Sequence, residues 1–397
     1  GAKPVMWSPV EKTALAEAEI EYHDHTSTTI YVRFPILEPS NEIIEGANIV
    51  IWTTTPWTMP GNRAVAVGAK IDYSVIEVIA VHADSSVQIG DRLIVATLRI
   101  EIFCDEAGIE DFNKLNTLKG SQLSGSICKH PLSRVGYDLD VPVLIAEFAT
   151  TDDGTGIVHI APGHGTDDWI LGQENELDIP QTVDENGCFY AHIPVFANKH
   201  VYKVNDEIAD VLKECCNLVA KGTLVHRYPH SWRSKAPLIF RNTSQWFISM
   251  SKTDLRGTAL QAISNTKFIP ESGRTRLNDM IKERPDWCVS RQRAWGVPIA
   301  IFMNKETGEP LRDQSVLNRI IKAFESEGAD TWFTSDPSRF LGDKYDSANY
   351  EQVTDILDVW FDSGSTHSFV LEAREDLEWP ASLYLEGTDQ HRGWFHS

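Results

Sequence analysis

Apolar residues in the first half of the chain come in short β-branched runs broken by turn residues, the pattern of strands rather than of long helices. Ile49-Val50-Ile51-Trp52-Thr53-Thr54-Thr55 runs into Pro56, which lacks an N–H and halts a strand. Tyr31–Phe34, Ala64–Val67, Tyr73–Ile79, Val141–Ala146 and Gly156–Ile160 read the same way. The pattern predicts a β-barrel-like or α+β unit over residues 35–220. Its best helix begins at Thr166, where Asp167 and Asp168 suit the positive end of the dipole. A second helix is expected near Ser315–Ser326, a shorter helical stretch over Glu11–Glu19, and a last strand over Ile356–Phe361.

With 397 residues, two or three domains are expected. Changes of pattern place boundaries at 1–34 (a stem), 35–220 (the β-rich unit), 221–300 (a return stem rich in Arg and Trp), 301–355 (a smaller insertion) and 356–397. No apolar stretch reaches membrane-spanning length, so no membrane partner is expected. Six cysteines without a Cys-x-x-Cys pair predict reduced thiols and a cytoplasmic location.

The net charge of −21 argues, taken alone, against a polyanionic partner. The charge is uneven, however. Residues 221–300 hold 14 Lys or Arg against 5 Asp or Glu. A basic segment in an acidic chain is compatible with nucleic-acid contact, and equally with a basic face balancing an acidic neighbour.

Two segments carry candidate chemistry. Thr53-Thr54-Thr55-Pro56-Trp57-Thr58-Met59-Pro60-Gly61-Asn62 makes a rigid, hydroxyl-rich rim that could hold a ribose, a phosphate or a water, although threonine also favours plain edge strands. Asp153-Gly154-Thr155-Gly156-Ile157-Val158-His159-Ile160-Ala161-Pro162-Gly163-His164-Gly165-Thr166-Asp167-Asp168 gathers four glycines, two histidines and several aspartates at a strand–loop–helix junction. A metal site, acid–base work by histidine, substrate recognition by a carboxylate and an imidazole, and a capped helix beside a buried histidine all remain open.

Together these segments resemble the editing insertion of the class I isoleucyl-tRNA synthetases. Relatives acting on valine usually carry lysine at the position of His159, and those acting on leucine carry methionine. Further matches are Tyr228-Pro229-His230-Ser231-Trp232-Arg233, Arg241–Phe247, Asp286–Pro298, Asp358–Gly364 and Glu386–Phe395. The last three resemble the second half of a catalytic Rossmann fold. The resemblance therefore implies a β-barrel-like editing domain inserted into a partial Rossmann-type domain, of mixed α/β and α+β class.

The resemblance also implies roles. Asp168 would bind the α-ammonium of an amino acid esterified to tRNA(Ile), and His159 would limit the side chain, admitting valine and excluding isoleucine. Thr53, Thr54 and Thr55 would contact the terminal ribose and place the attacking water, with Asn62 on the same rim. Glu386, Gly387, Asp389 and Gln390 match positions that hold the aminoacyl-adenylate, and Trp360 and Trp394 match walls of the isoleucine pocket. The full-length enzyme would use ATP and Mg and act as a monomer; editing would need no cofactor. The signatures His-Ile-Gly-His and Lys-Met-Ser-Lys-Ser are absent from this sequence, so it is expected neither to activate isoleucine nor to charge tRNA. Where many relatives have zinc-binding cysteines, Ser8 and Ser231 stand here; serine is a poor ligand, and no zinc is expected in the stem.

Overall fold

Two long strands, Ile20–Glu38 and Leu218–Ser231, organise the β-rich part of the molecule, pairing antiparallel from Ile20–Ser231 to Val32–Leu218. The inner half of Ile20–Glu38 is fully buried from Thr29 to Phe34, because its β-branched and aromatic side chains face cores on both sides. Its outer half is polar and is held by cross-strand partners: His25 opposes His226, and Asp24 opposes Arg227.

The computed structural model describes residues 2–385, 387–391 and 393–396. The chain divides into two compact units. One comprises Ala2–Lys12 and Ile20–Ser244, the other Thr13–Glu19 and the residues from Gln245 onward. The expected boundaries at 34/35 and 220/221 both fall inside the two long strands.

The first unit is built on a ten-stranded sheet. Its order is Ile157–Ile160, Ala64–Val67, Asp140–Ile145, Ile127–Lys129, Ile20–Glu38, Asn48–Thr53, Arg92–Ala96, Asp72–Val81, Ile109–Lys119, with Leu218–Ser231 also on Ile20–Glu38. Two of its pairings are parallel, Val143 beside Val65 and Asn48 beside Leu93, and the rest are antiparallel. The path is open, with Ile157–Ile160 and Ile109–Lys119 at its ends, so the expected barrel-like unit is an open mixed sheet and not a closed barrel. Helix Ile100–Ala107 covers part of it, burying Phe103 and Ile100 against Tyr31, Ile76, Val78 and Leu93. Truncating the fully buried Phe103 to alanine would cost about 3–5 kcal/mol.

In the second unit the described strand pairs are short and antiparallel: Phe247–Ile248 with Trp287–Cys288, Ser290–Arg291 with Ile356–Leu357, and Phe302–Asn304 with Tyr350–Gln352. A parallel sheet of the kind expected for a Rossmann half is not among the described strand pairs of this unit. The predicted helix near Ser315 is present as Gln314–Glu327, capped by Asp313, and buries Val316, Ile320 and Ala323 with Trp332 and Phe340.

Two local expectations fail for identifiable reasons. Glu11–Glu19 is not a helix: Lys12 takes a left-handed φ of 53°, and a short strand Thr13–Ala14 precedes a 3₁₀ turn at Glu17–Glu19. The strand expected over Ile356–Phe361 stops at Leu357. Asp358 accepts the Trp360 N–H and caps a helix, Val359–Gly364, while its other oxygen takes the buried Arg291 guanidinium at 2.8 Å.

Candidate active site

Strand Asn48–Thr53 carries the threonine run to a point where Pro56 forces it into the 3₁₀ turn Pro56–Gly61. Strand Ile157–Ile160 brings His159 alongside, and helix Thr166–Glu174 supplies Asp168 in its first turn. All three face one cleft of ≈ 390 Å³, whose other walls are Trp52, Phe148 and the turn from Thr150 to Gly156. Thr53, Thr54, Thr55, His159 and Asp168 thus meet in space, though they lie in segments about a hundred residues apart.

Hydrogen bonds fix the state of His159. Thr58 donates its hydroxyl to the Thr55 carbonyl at 2.8 Å, so at 2.9 Å from His159 Nε2 it must accept. Nε2 therefore carries the proton, and Nδ1 accepts from the Asn62 side-chain amide at 2.8 Å. The same amide donates to the Ala64 carbonyl at 2.9 Å, which sets its orientation. Burial pushes the His159 pKa down to about 3, and neighbouring His164 adds to this, so the ring is neutral at ordinary pH.

His164 is also committed. Its Nδ1 donates to the Phe240 carbonyl at 2.8 Å, leaving Nε2 to accept the Thr182 hydroxyl at 2.5 Å. Burial holds its pKa near 4. Neither imidazole keeps a free lone pair, so general-base work or metal ligation by these rings would require breaking the network.

Asp168 is half-buried. Its Oδ2 accepts the Ala161 N–H at 2.7 Å, and burial raises its pKa to about 6 against that bond. Asp152 and Asp153 also line the cleft but are exposed; Asp168 is the half-buried carboxylate suited to a cationic ligand, whose charge would draw the carboxyl back toward full ionisation. Among the threonines, Thr53 Oγ1 accepts the Thr55 N–H at 3.1 Å and lies 3.2 Å from Thr55 Oγ1. The partly exposed Thr54 hydroxyl has no hydrogen-bond partner among the described residues, which leaves it available to a ligand or water.

Asn62 departs from its expected place. It is fully buried behind His159 and forms no part of the cleft surface, so it acts on the rim through the imidazole. Thr58, a member of the hydroxyl-rich segment without a role of its own, and Trp52 also line the cleft. A threonine three residues beyond Thr55 on a Pro-initiated turn is the available signal for Thr58. Asp167 is exposed outside the cleft.

In the second unit, Trp394 Nε1 donates to the Ser363 carbonyl at 2.8 Å. Gly393 lets Trp360 approach closely: a Cβ there would fall 2.5 Å from its ring. Gln390 borders the same glycine, and its N–H donates to the Gly387 carbonyl at 3.0 Å. Trp360, Trp394, Gln390 and Gly387 therefore lie in one neighbourhood. Glu386 lies outside the described residues, as does the side chain of Asp389.

Ser8 and Ser231, the stem serines, are fully buried and both bond to Glu11. Ser231 Oγ and the Ser234 N–H (3.3 Å) donate to Glu11 Oε1, and the Glu11 N–H donates to Ser8 Oγ at 3.2 Å.

Comparison with known proteins points the same way. Residues 1–397 match the family described as tRNA synthetases class I (I, L, M and V). The chain is 53% identical over 411 residues to an isoleucine--tRNA ligase of Gluconobacter oxydans, 50% over 397 residues to one of Pelagibacter ubique, and 49% over 422 residues to one of Caulobacter vibrioides. Each alignment covers 100% of this chain and 43% of the relative, so the chain spans less than half the length of these proteins. A solved structure named "The crystal structure of GlLeuRS-CP1" aligns at 15% identity with a TM-score of 0.37, covering 49% of this chain and 99% of the other. The family match extends over every residue, including both segments that build the cleft, and the chain accordingly belongs to the class I tRNA synthetases.

Proposed function

We propose that the cleft is an editing site that hydrolyses the ester of wrongly charged tRNA(Ile), chiefly the valyl ester. The observation that carries this reading is the convergence of a carboxylate and a hydroxyl-rich rim on one cleft beside a neutral, immobilised imidazole. Asp168 receives the α-ammonium, His159 bounds the side-chain pocket, and Thr53, Thr54 and Thr55 receive the ribose and the attacking water. Isoleucine exceeds valine by one methylene. A hydrophobic pocket turns that into about 1–3 kcal/mol, a general figure for which this amino-acid pair is itself the standard example. A second site that admits only the smaller residue supplies the missing discrimination. An aminoacyl ester is already reactive, so orientation and charge placement suffice without a covalent nucleophile.

The names of the relatives support isoleucine as the amino acid of the full-length enzyme. In that enzyme the neighbourhood of Trp360, Trp394, Gly387 and Gln390, with Glu386 and Asp389, would hold the adenylate made from ATP with Mg. In the stem, Glu11 would tie Ser8, through its main-chain N–H, to Ser231, through its carboxylate, in place of zinc.

Calorimetric titration with a non-hydrolysable 3′-amide of valyl-adenosine tests the ligand assignment. Binding by the unaltered chain that weakens at least tenfold in Asp168→Asn supports it; equal binding by both overturns it.

A further inference from the structure

We infer that Arg99 is a positioning residue of the cleft, acting through the glycine-rich turn that forms its far wall; the kinetic part of this inference rests on the editing reading above. Arg99 stands at the start of helix Ile100–Ala107, 55 residues from the turn it grips. Its Nε donates to the Gly154 carbonyl at 2.8 Å and its Nη1 to the Asp152 carbonyl at 3.2 Å. A guanidinium presents its donors in a fixed planar fork, so two bonds to carbonyls two residues apart set the orientation of the intervening peptides.

The turn needs such a hold. Gly154 and Gly156 have φ of +57° and +74°, a region that glycine enters at little cost and leaves as readily. Gly154 also lies against Trp52, where a Cβ would fall 2.8 Å from the indole side chain's own Cβ. Two neutral donors help to hold the turn. The Ala96 N–H reaches the Thr155 carbonyl at 2.8 Å, and the Tyr73 hydroxyl reaches the Gly156 carbonyl at 2.7 Å. Arg99 is the cation in this set and holds the Asp152–Gly154 half of the turn. The turn's two carboxylates, Asp152 and Asp153, are exposed to solvent, and what its backbone contributes is shape: it fixes how far the ligand stands from the threonine rim opposite. Displacing a wall by an ångström costs on the order of a hundredfold in rate where orientation dominates.

The test compares the unaltered chain with Arg99→Met, which keeps the aliphatic stem, and Arg99→Lys, which keeps the charge and loses the fork. Hydrogen exchange of the peptide spanning residues 150–158 is read by mass spectrometry alongside deacylation of Val-tRNA(Ile). The expected result for Arg99→Met is exchange at least tenfold faster in the turn, unchanged exchange in helix Thr166–Glu174, and a kcat reduced tenfold or more with a smaller change in KM. Arg99→Lys should fall between. Unchanged exchange in the turn overturns the inference, as does faster exchange with unaltered kcat. If Arg99→Met does not fold, Arg99→Lys decides by the same two readouts. Absence of ester loss by the unaltered chain would sink the editing reading, and the exchange data would then decide alone whether Arg99 holds the turn.

Discussion

Asn62 and His159, 97 residues apart, are joined at 2.8 Å between the Asn62 side-chain amide and His159 Nδ1, and this bond sets the tautomer of the imidazole beside the threonine rim. Asn62 itself never reaches the cleft surface. Its replacement by leucine leaves a buried ring nitrogen without a donor, at a cost of about 1–3 kcal/mol. Replacement by aspartate instead sets a carboxylate against Nδ1 and raises the pKa of the ring. In NMR titrations the unaltered His159 is expected to stay neutral down to the acid limit of the fold. In Asn62→Asp it should titrate at higher pH. A ring that titrates near its ordinary value in the unaltered chain would contradict the network.

Three histidines buried in a neutral state give stability a definite pH dependence. His130 and His159 have pKa values near 3 and His164 near 4, each lowered chiefly by burial. The unfolded chain binds these protons as pH falls below about 6.5 and the folded chain does not, so acidification favours unfolding over that window down to the folded values. Asp168 acts oppositely between its ordinary value and about 6, because there the folded state holds the proton. Asp355 and Asp362, also raised by burial, act with Asp168, while His25 and His200, also lowered by burial, act with the three rings, so the histidines outnumber the carboxylates. Urea midpoints measured in steps of pH should therefore fall from neutral pH toward about pH 4.5, still above the folded values, and His164→Gln should flatten the slope. A rising midpoint would show that these rings are protonated in the fold.

Asp168 should impose its own pH profile on activity. With its carboxyl near pKa 6 in the free protein, kcat/KM for Val-tRNA(Ile) should rise with pH through about 6 and level off above it. Asp168→Asn removes the charge and the profile together. The lost charge-assisted bond is worth about 1.5–3 kcal/mol, or roughly 10–100-fold in kcat/KM. A variant that retains the inflection near 6 would assign it to another group.

The stem can be probed without substrate. Glu11→Ala deprives Ser231 Oγ and the Ser234 N–H of their shared acceptor and should cost about 1–3 kcal/mol. Chelator should leave the Tm of the unaltered chain unchanged. Stoichiometric zinc by elemental analysis, or a Tm that falls with chelator, would contradict a carboxylate-held stem.

The cores of the strands are legible in the sequence because each depends on a local signal. Ala64–Val67 matches its apolar run to the residue, and the threonine strand ends at Thr53, two residues short of its expected end before Pro56. The outer halves of Ile20–Glu38 and Leu218–Ser231 are not legible: they mix polar residues with exposed apolar ones such as Leu224 and Val225 without a period-two pattern, and the partner strand makes them extended. Asp358 looks like one residue of a strand, because its capping role depends on Arg291, distant in sequence. The site divides the same way. The residue types of the cleft stand out by composition, with Thr53, Thr54, Thr55, His159 and Asp168 all found on it. Asn62 belongs to the layer behind the surface where its motif suggests the rim, and nothing in the local pattern marks Arg99. Burial and long-range carbonyl contacts leave no trace in neighbouring residues.

The most direct test of the central claim is ester loss from tRNA(Ile) charged with labelled valine and, separately, with labelled isoleucine, on addition of this chain, with and without chelator. An editing cleft predicts rapid loss of valine, little loss of isoleucine, and no effect of chelator. Retention of both esters at the buffer rate, or equal loss of both, would contradict it.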